Sequence, residues 1–195
     1  MRVITGSARG TRLEAPPGLS TRPTSEMCKE AVFSILHFEL SEARVLDLFA
    51  GSGQMGIEAL SRGAKSCVFV DNSRQAQAVI RRNLAAAKLA GKSRVEGMEA
   101  EPFLRSHTGP FDIALLDPPY GQQLCQAVLP LLAQRMSDQG IIVCETEREE
   151  TLPEQAGAFS LHRTYRYGRA KVSVYRKQEE EEESYAAHGN LPRQL

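Results

Sequence analysis

The chain has 195 residues, enough for one domain of ordinary size with a buried core. Its 42% hydrophobic and 25% charged residues are those of a globular protein, and with no apolar run near the roughly 18 residues of a membrane span, a bilayer-crossing chain is not expected. The 24 basic and 24 acidic groups cancel overall, but five glutamates crowd into positions 179–183, so residues 1–178 carry a net charge of +4.

The opening MRVITGSARG lacks the apolar stretch of a secretory leader. Cys28, Cys67, Cys125 and Cys144 have no C-x-x-C spacing, and the last three lie in apolar segments. Buried thiols and a cytoplasmic location are expected, and neither the cysteines nor the four scattered histidines suggest a metal site.

Residues 1–23, rich in Gly, Pro and Arg, suggest a small hairpin, and Met27, Cys28, Ala31, Val32, Ile35 and Leu36 recur at helical spacing within Thr24–Phe38. RVLDLFAGSG (44–53) reads as a strand entering a glycine turn, and GQMGIEALSRG as the helix that follows. SCVFVD (66–71) is a second strand, followed by a helix from about Ser73, a candidate N-cap, to Leu89. RVEG is a short strand before a short helix, FDIALL a fourth strand, LCQAVLPLLAQRM a helix and GIIVCE a fifth strand. The alternation predicts an α/β, doubly wound and mostly parallel sheet, with a closing antiparallel hairpin around YGRA (158–177) making seven strands. The chain therefore divides into an N-terminal arm and helix (1–40), a core domain (41–178) and an acidic tail (179–195), expected to be solvated and disordered or to compete with an anionic ligand.

Gly51, Gly53 and Gly56 match G-x-G-x-x-G between a strand and a helix, and Asp71 follows at the end of the next strand. This spacing suits a dinucleotide, and it equally suits S-adenosylmethionine, whose ribose hydroxyls need an acidic acceptor. Asp47 favours the second, because a carboxylate just before the glycines would repel a pyrophosphate but suits a zwitterionic sulfonium ligand. The bland alternative is a tight turn, with Asp71 capping the next helix.

FDIALLDPPYG (111–121) ends a buried strand in Asp117, Pro118, Pro119 and Tyr120. The exocyclic amine of a nucleobase is a poor nucleophile, because its lone pair is delocalised into the ring. Asp117 and a main-chain carbonyl held by Pro118 and Pro119 can accept its two hydrogens and orient that pair, while Tyr120 offers a ring for an extruded base. By itself DPPY would equally make a rigid turn.

Together, RVITGSARGTRLEAP, TRPTSEMCKEAVFSIL, LDLFAGSGQMGIEALSRGA, DPPY and YGRAKVSVYRK make residues 1–177 resemble the RsmD family of bacterial 16S ribosomal RNA guanine-N2 methyltransferases. The resemblance implies a Rossmann-like class I methyltransferase that uses S-adenosyl-L-methionine and acts on 16S rRNA as a monomer. It implies cofactor contacts at Asp47, Phe49, Ala50, Gly51, Ser52, Gly53, Asp71, Asn72, Glu99, Ala100 and Asp117, and catalytic roles for Asp117, Pro118, Pro119 and Tyr120. Arg9, Arg12, Arg22 and Thr24 would meet RNA. Glu26, Met27, Gln54 and Glu99 depart from the family's usual residues, Met27 by removing a positive charge.

Before residue 24 only Glu14 opposes Arg2, Arg9, Arg12 and Arg22, and residues 161–178 hold six basic groups and no acid. The arm is expected to contact RNA, whereas the hairpin's charges suit RNA or a protected sheet edge equally. The chemistry of the residues leaves adenine N6, a glutamine amide or a nicotinamide-dependent oxidoreductase as alternatives to guanine N2.

Overall fold

The structure, a computed structural model, describes residues 1–17 and 26–177. Arg22 and Thr24, and the acidic tail at 179–195, lie outside the described residues.

In chain order the elements are α1 (Glu26–Ile35), β1 (Arg44–Leu48), α2 (Gln54–Ser61), β2 (Ser66–Val70), α3 (Arg74–Ala86), β3 (Ser93–Glu96), α4 (Ala100–Ser106), β4 (Phe111–Leu116), α5 (Leu124–Ala133), β5 (Met136–Glu147), β6 (Gln155–Ala156), β7 (Phe159–Tyr167) and β8 (Ala170–Lys177). They form one sheet in the order β3-β2-β1-β4-β5-β8-β7-β6. The pairs from β3 to β5 are parallel, and β5–β8, β8–β7 and β7–β6 are antiparallel. All seven strands read from the sequence are present, and the eighth, β6, is a two-residue edge strand too short to leave a periodic signal. Ser73 caps α3, its hydroxyl accepting from the Ala76 amide at 3.3 Å. β5 starts four residues ahead of the expected GIIVCE, because Met136 already pairs with Phe111; the register against β4 then shifts between Phe111 and Ile113.

Because side chains alternate across each strand, the sheet buries two apolar layers. Val45, Phe69, Leu115, Val143 and Val172 face α1, α2 and α3, together with Val3, Ala8 and Leu13 of the N-terminal segment. Leu46, Leu48, Leu116, Cys144 and Tyr175 face α4 and α5. The described part of residues 1–40 thus shares its core with the sheet. The segment is closed by an antiparallel bridge between Arg2 and Arg12.

From β1 the chain steps outward to β2 and β3, then returns to place β4 on the other side of β1. Strand order therefore reverses between β1 and β4. In open α/β sheets, ligands bind in the crevice this creates beyond the strands' carboxyl ends. Among the described residues no helix is long and apolar enough to cross a membrane, and no cluster of His, Cys, Asp or Glu is gathered as a metal site would require.

Candidate active site

The turn after β1 is held from β2: the Phe49 and Ala50 amides both donate to the Val70 carbonyl, at 3.1 and 3.0 Å. Closing so tightly puts Phe49 at φ 70°, in the left-handed region that non-glycine residues seldom occupy. The three glycines then serve different ends. A Cβ on Gly56 would lie 2.4 Å from the Phe69 ring, so this glycine lets α2 pack against β2. Gly53, at φ 75°, is hemmed in by Ile80 and Phe69. Gly51 also has a positive φ, 55°, yet a Cβ there would meet nothing within 4 Å. Packing explains the last two glycines of the motif but not the open side of the first, which leaves bare backbone for a ligand to approach.

Asp71, just past β2, faces this turn. Its carboxylate accepts from the Gly51 amide and from the Ser73 amide, each at 2.9 Å. The capping of α3 falls to Ser73, so Asp71 ties the glycine turn to the second strand's end. Asn72 is exposed; Glu99 is exposed just ahead of α4, and Ala100 is buried as its first residue. These groups lie beyond β1, β2 and β3, three neighbouring strands on one side of the switch point.

Asp47, on β1, is 2% exposed and accepts from the Gly56 amide at 2.9 Å, near the start of α2. Burial pushes its pKa up to about 8, the Gly56 amide opposes this, and the like charges of Asp117 and Asp71 add to the rise. The three acids predicted from separate motifs therefore share one electrostatic environment.

Asp117 follows β4, across the switch point from the glycine turn, and Leu48 and Leu116 are in register on the two strands leading into these segments. Asp117 and Tyr120 are half-buried, Pro118 is buried and Pro119 exposed. The Tyr120 hydroxyl lies 3.4 Å from Glu145 Oε1, on β5.

Three contributors escaped the sequence reading. Asn83 of α3 is buried and links two segments: its Nδ2 donates to the Ser52 carbonyl (2.9 Å) and the Glu14 carbonyl (3.0 Å), while its Oδ1 accepts from the Glu14 amide (2.8 Å). The N-terminal segment is thereby fastened to the glycine turn. Glu58 of α2, fully buried, accepts from the Ile4 and Thr5 amides at 2.8 and 2.9 Å and pairs with Lys29 and Arg62 at 3.6 and 2.8 Å. Glu145 is the third. A lone polar residue in a helical or strand pattern carries no local sign of such partners.

The arm's basic residues are spread out. Arg9 is exposed beside Ala8, whose amide donates to Ser61 Oγ at the far end of α2 from the glycine turn. Arg12 is exposed next to Leu13, whose amide bonds Met1, and the Met1 sulfur accepts from Ser52 Oγ at 3.6 Å. Neither arginine makes an ion pair among the described residues. In the closing hairpin Arg176 pairs with Glu39 and Lys177 with Asp138, while Arg163, Arg166 and Arg169 are exposed. Met27 is 68% exposed on α1.

The family model described as Conserved hypothetical protein 95 matches residues 1–176. The chain is 42% identical to YlbH of Bacillus subtilis, over 91% of this chain and 99% of that protein. It is 34% identical to Ribosomal RNA small subunit methyltransferase D of Escherichia coli, over 91% of this chain and 90% of that enzyme. The chain belongs to the RsmD family. Among solved structures, the Escherichia coli protein yhhF superposes with a TM-score of 0.79 at 35% identity, covering 91% of this chain and 98% of the other. The doubly wound core is therefore the Rossmann-like fold of the family's methyltransferases, and the three-strand antiparallel end belongs to the same sheet.

Proposed function

We propose that this chain is an S-adenosyl-L-methionine-dependent rRNA methyltransferase that modifies the exocyclic N2 amine of a guanine in 16S rRNA in the cytoplasm. The observation that carries the reading is the placement of DPPY and the glycine turn on adjacent strands at the switch point, with the charges of Asp117 and Asp71 both acting on Asp47. The family's small-subunit ribosomal RNA methyltransferase supplies the substrate class, and the choice of guanine follows the family resemblance read from the sequence motifs.

The residues present fit the cofactor. Gly51 offers bare backbone, Asp71 a carboxylate at the second strand's end for ribose hydroxyls, and Asp47 an acid suited to an ammonium group. Phe49, Ala50, Ser52, Gly53, Asn72, Glu99 and Ala100 complete the set that would hold it. A pyrophosphate would bring two more negative charges against three acids, so a nicotinamide dinucleotide fits poorly. When bound, S-adenosylmethionine supplies a methyl group activated by sulfonium.

On the substrate side, Asp117 accepts one hydrogen of the amine and a backbone carbonyl of the Pro118–Pro119 segment accepts the other, concentrating the nitrogen lone pair on the open side. The prolines fix φ, so these acceptors are in place before the base arrives. The Tyr120 ring stacks on the extruded base, a contact worth about 1–3 kcal/mol in comparable sites. Arg12, Arg9, Arg22 and Thr24 contribute phosphate contacts.

The test is methyl transfer to 16S rRNA from a strain lacking the protein, with the product mapped by mass spectrometry. Asp117→Ala is expected to lower kcat on the order of a hundred- to a thousandfold, as removal of a single transition-state partner does elsewhere, with S-adenosylhomocysteine affinity nearly unchanged. Turnover like that of the wild type would remove Asp117 from the mechanism. A 16S rRNA with every methyl group intact in the deletion strain would overturn the assignment.

A further inference from the structure

Glu145 stands beside the motif without belonging to it. Leu116 and Cys144 are partners in the parallel β4–β5 register, so Asp117 and Glu145 follow side by side on neighbouring strands. Across the other edge of β5, Glu145 pairs with Val172, whose side chain joins the layer facing α1 and α2. This is the side on which Asp47 meets α2. Glu145 thus extends the row of acids Asp71, Asp47 and Asp117 to a fourth adjacent strand.

The carboxylate is only 5% exposed, and a buried acid is costly unless donors surround it. Two of its donors connect parts of the molecule distant in sequence. The Tyr120 hydroxyl lies 3.4 Å from Oε1, and the Cys28 thiol of α1 lies 3.3 Å from Oε2. The tyrosine contact is at the long end of hydrogen bonding, as contacts in catalytic sites often are before substrate closes them. Tyr120 is half-buried, so one end of its ring is anchored inside while part of its surface reaches solvent.

We propose that Glu145 is a positioning residue for the base: it holds the Tyr120 hydroxyl, and so sets the tilt and depth of the ring that stacks on the extruded guanine beside Asp117. The proposal rests on the methyltransferase reading above and assigns a role on the substrate side of that site. Glu145 acts through Tyr120, and its bond to Cys28 makes α1, the helix following the arm, the second support of the same carboxylate.

The experiment compares wild type, Tyr120→Phe, Glu145→Leu and the double variant, using 16S rRNA from the deletion strain and measuring kcat, KM for both substrates and S-adenosylhomocysteine affinity. Each single substitution is expected to lower kcat/KM for RNA about tenfold, typical of coupling within one hydrogen-bond network, with cofactor affinity unchanged. The double variant is expected to be no worse than either single. A purely structural role would move the melting temperature and leave the two effects multiplicative, and a multiplicative loss overturns the proposal. If Glu145→Leu does not fold, Tyr120→Phe decides, since it removes one hydroxyl from a half-buried ring: a loss of kcat/KM for RNA supports the proposal and wild-type kinetics overturn it. A wild-type protein that transfers no methyl group would overturn the functional reading itself, and that failure is recognisable before any substitution is made.

Discussion

Two buried carboxylates meet the same helix, and their surroundings are opposite. Glu58, on α2 itself, is met by two backbone amides, the Lys29 ammonium and the Arg62 guanidinium. Asp47, against the first turn of α2, is met by the Gly56 amide and by the like charges of Asp71 and Asp117. The first acid has its charge balanced inside the chain, and its bonds run to the N-terminal segment: it holds structure together. The second is left under strain of burial and repulsion, which only a proton or a cationic ligand relieves. Burial is common to the two acids; the sign of the neighbouring charges sets them apart.

The largest expected effect lies on the structural side. Glu58→Gln leaves Lys29, 1% exposed, without its countercharge, and burial already draws the Lys29 pKa below its usual value despite Glu58. Removing one partner of a buried pair costs about 3–5 kcal/mol, so urea unfolding of this variant should show a loss of that order. A loss near that of a surface substitution would erase the contrast between the two acids.

Asp47→Asn should behave in the opposite way. The amide oxygen can still accept from Gly56, so folding is retained, whereas cofactor affinity should fall. The pH dependence sharpens the point. With its folded pKa raised to about 8, the native protein keeps a proton that the unfolded chain gives up near 3.9. The stability this proton contributes is complete below about pH 3.9 and is lost as pH rises through 8. Melting curves from pH 5 to 9 should therefore show wild type losing ground to Asp47→Asn as pH rises. Parallel curves would mean that Asp47 titrates in the ordinary range.

The smallest effect separates the two ends of α2 once more. Arg12 lies by the segment that touches the glycine turn, and Arg9 by Ser61, about 12 Å away along a helix of this length. Arg12→Ala should weaken RNA binding and reduce its salt slope by about one, with Arg9→Ala having the lesser effect. Equal slopes in binding isotherms at several salt concentrations would mean that the two arginines meet phosphate to the same extent and that the two ends of α2 do not differ.

What the sequence determined by itself was whatever depends on neighbours within a few residues. Apolar periodicity located seven strands and their helices, Ser73 announced its own cap, and the glycines, Asp71 and DPPY marked three strand ends, because turns, caps and alternation are local properties of the backbone. The bringing together of those ends was a consequence of strand order, which the chain realises only by returning β4 to the side of β1 away from β2. Everything that required a distant partner was decided by tertiary structure. Cys28 and Glu145 are separated by 117 residues, Glu14 and Asn83 by 69, and Ile4 and Glu58 by 54. The open face of Gly51 and the crowded one of Gly56 are the same letter in the same motif; only the packing of Phe69 and Cys67 against one of them tells open backbone from a helix contact.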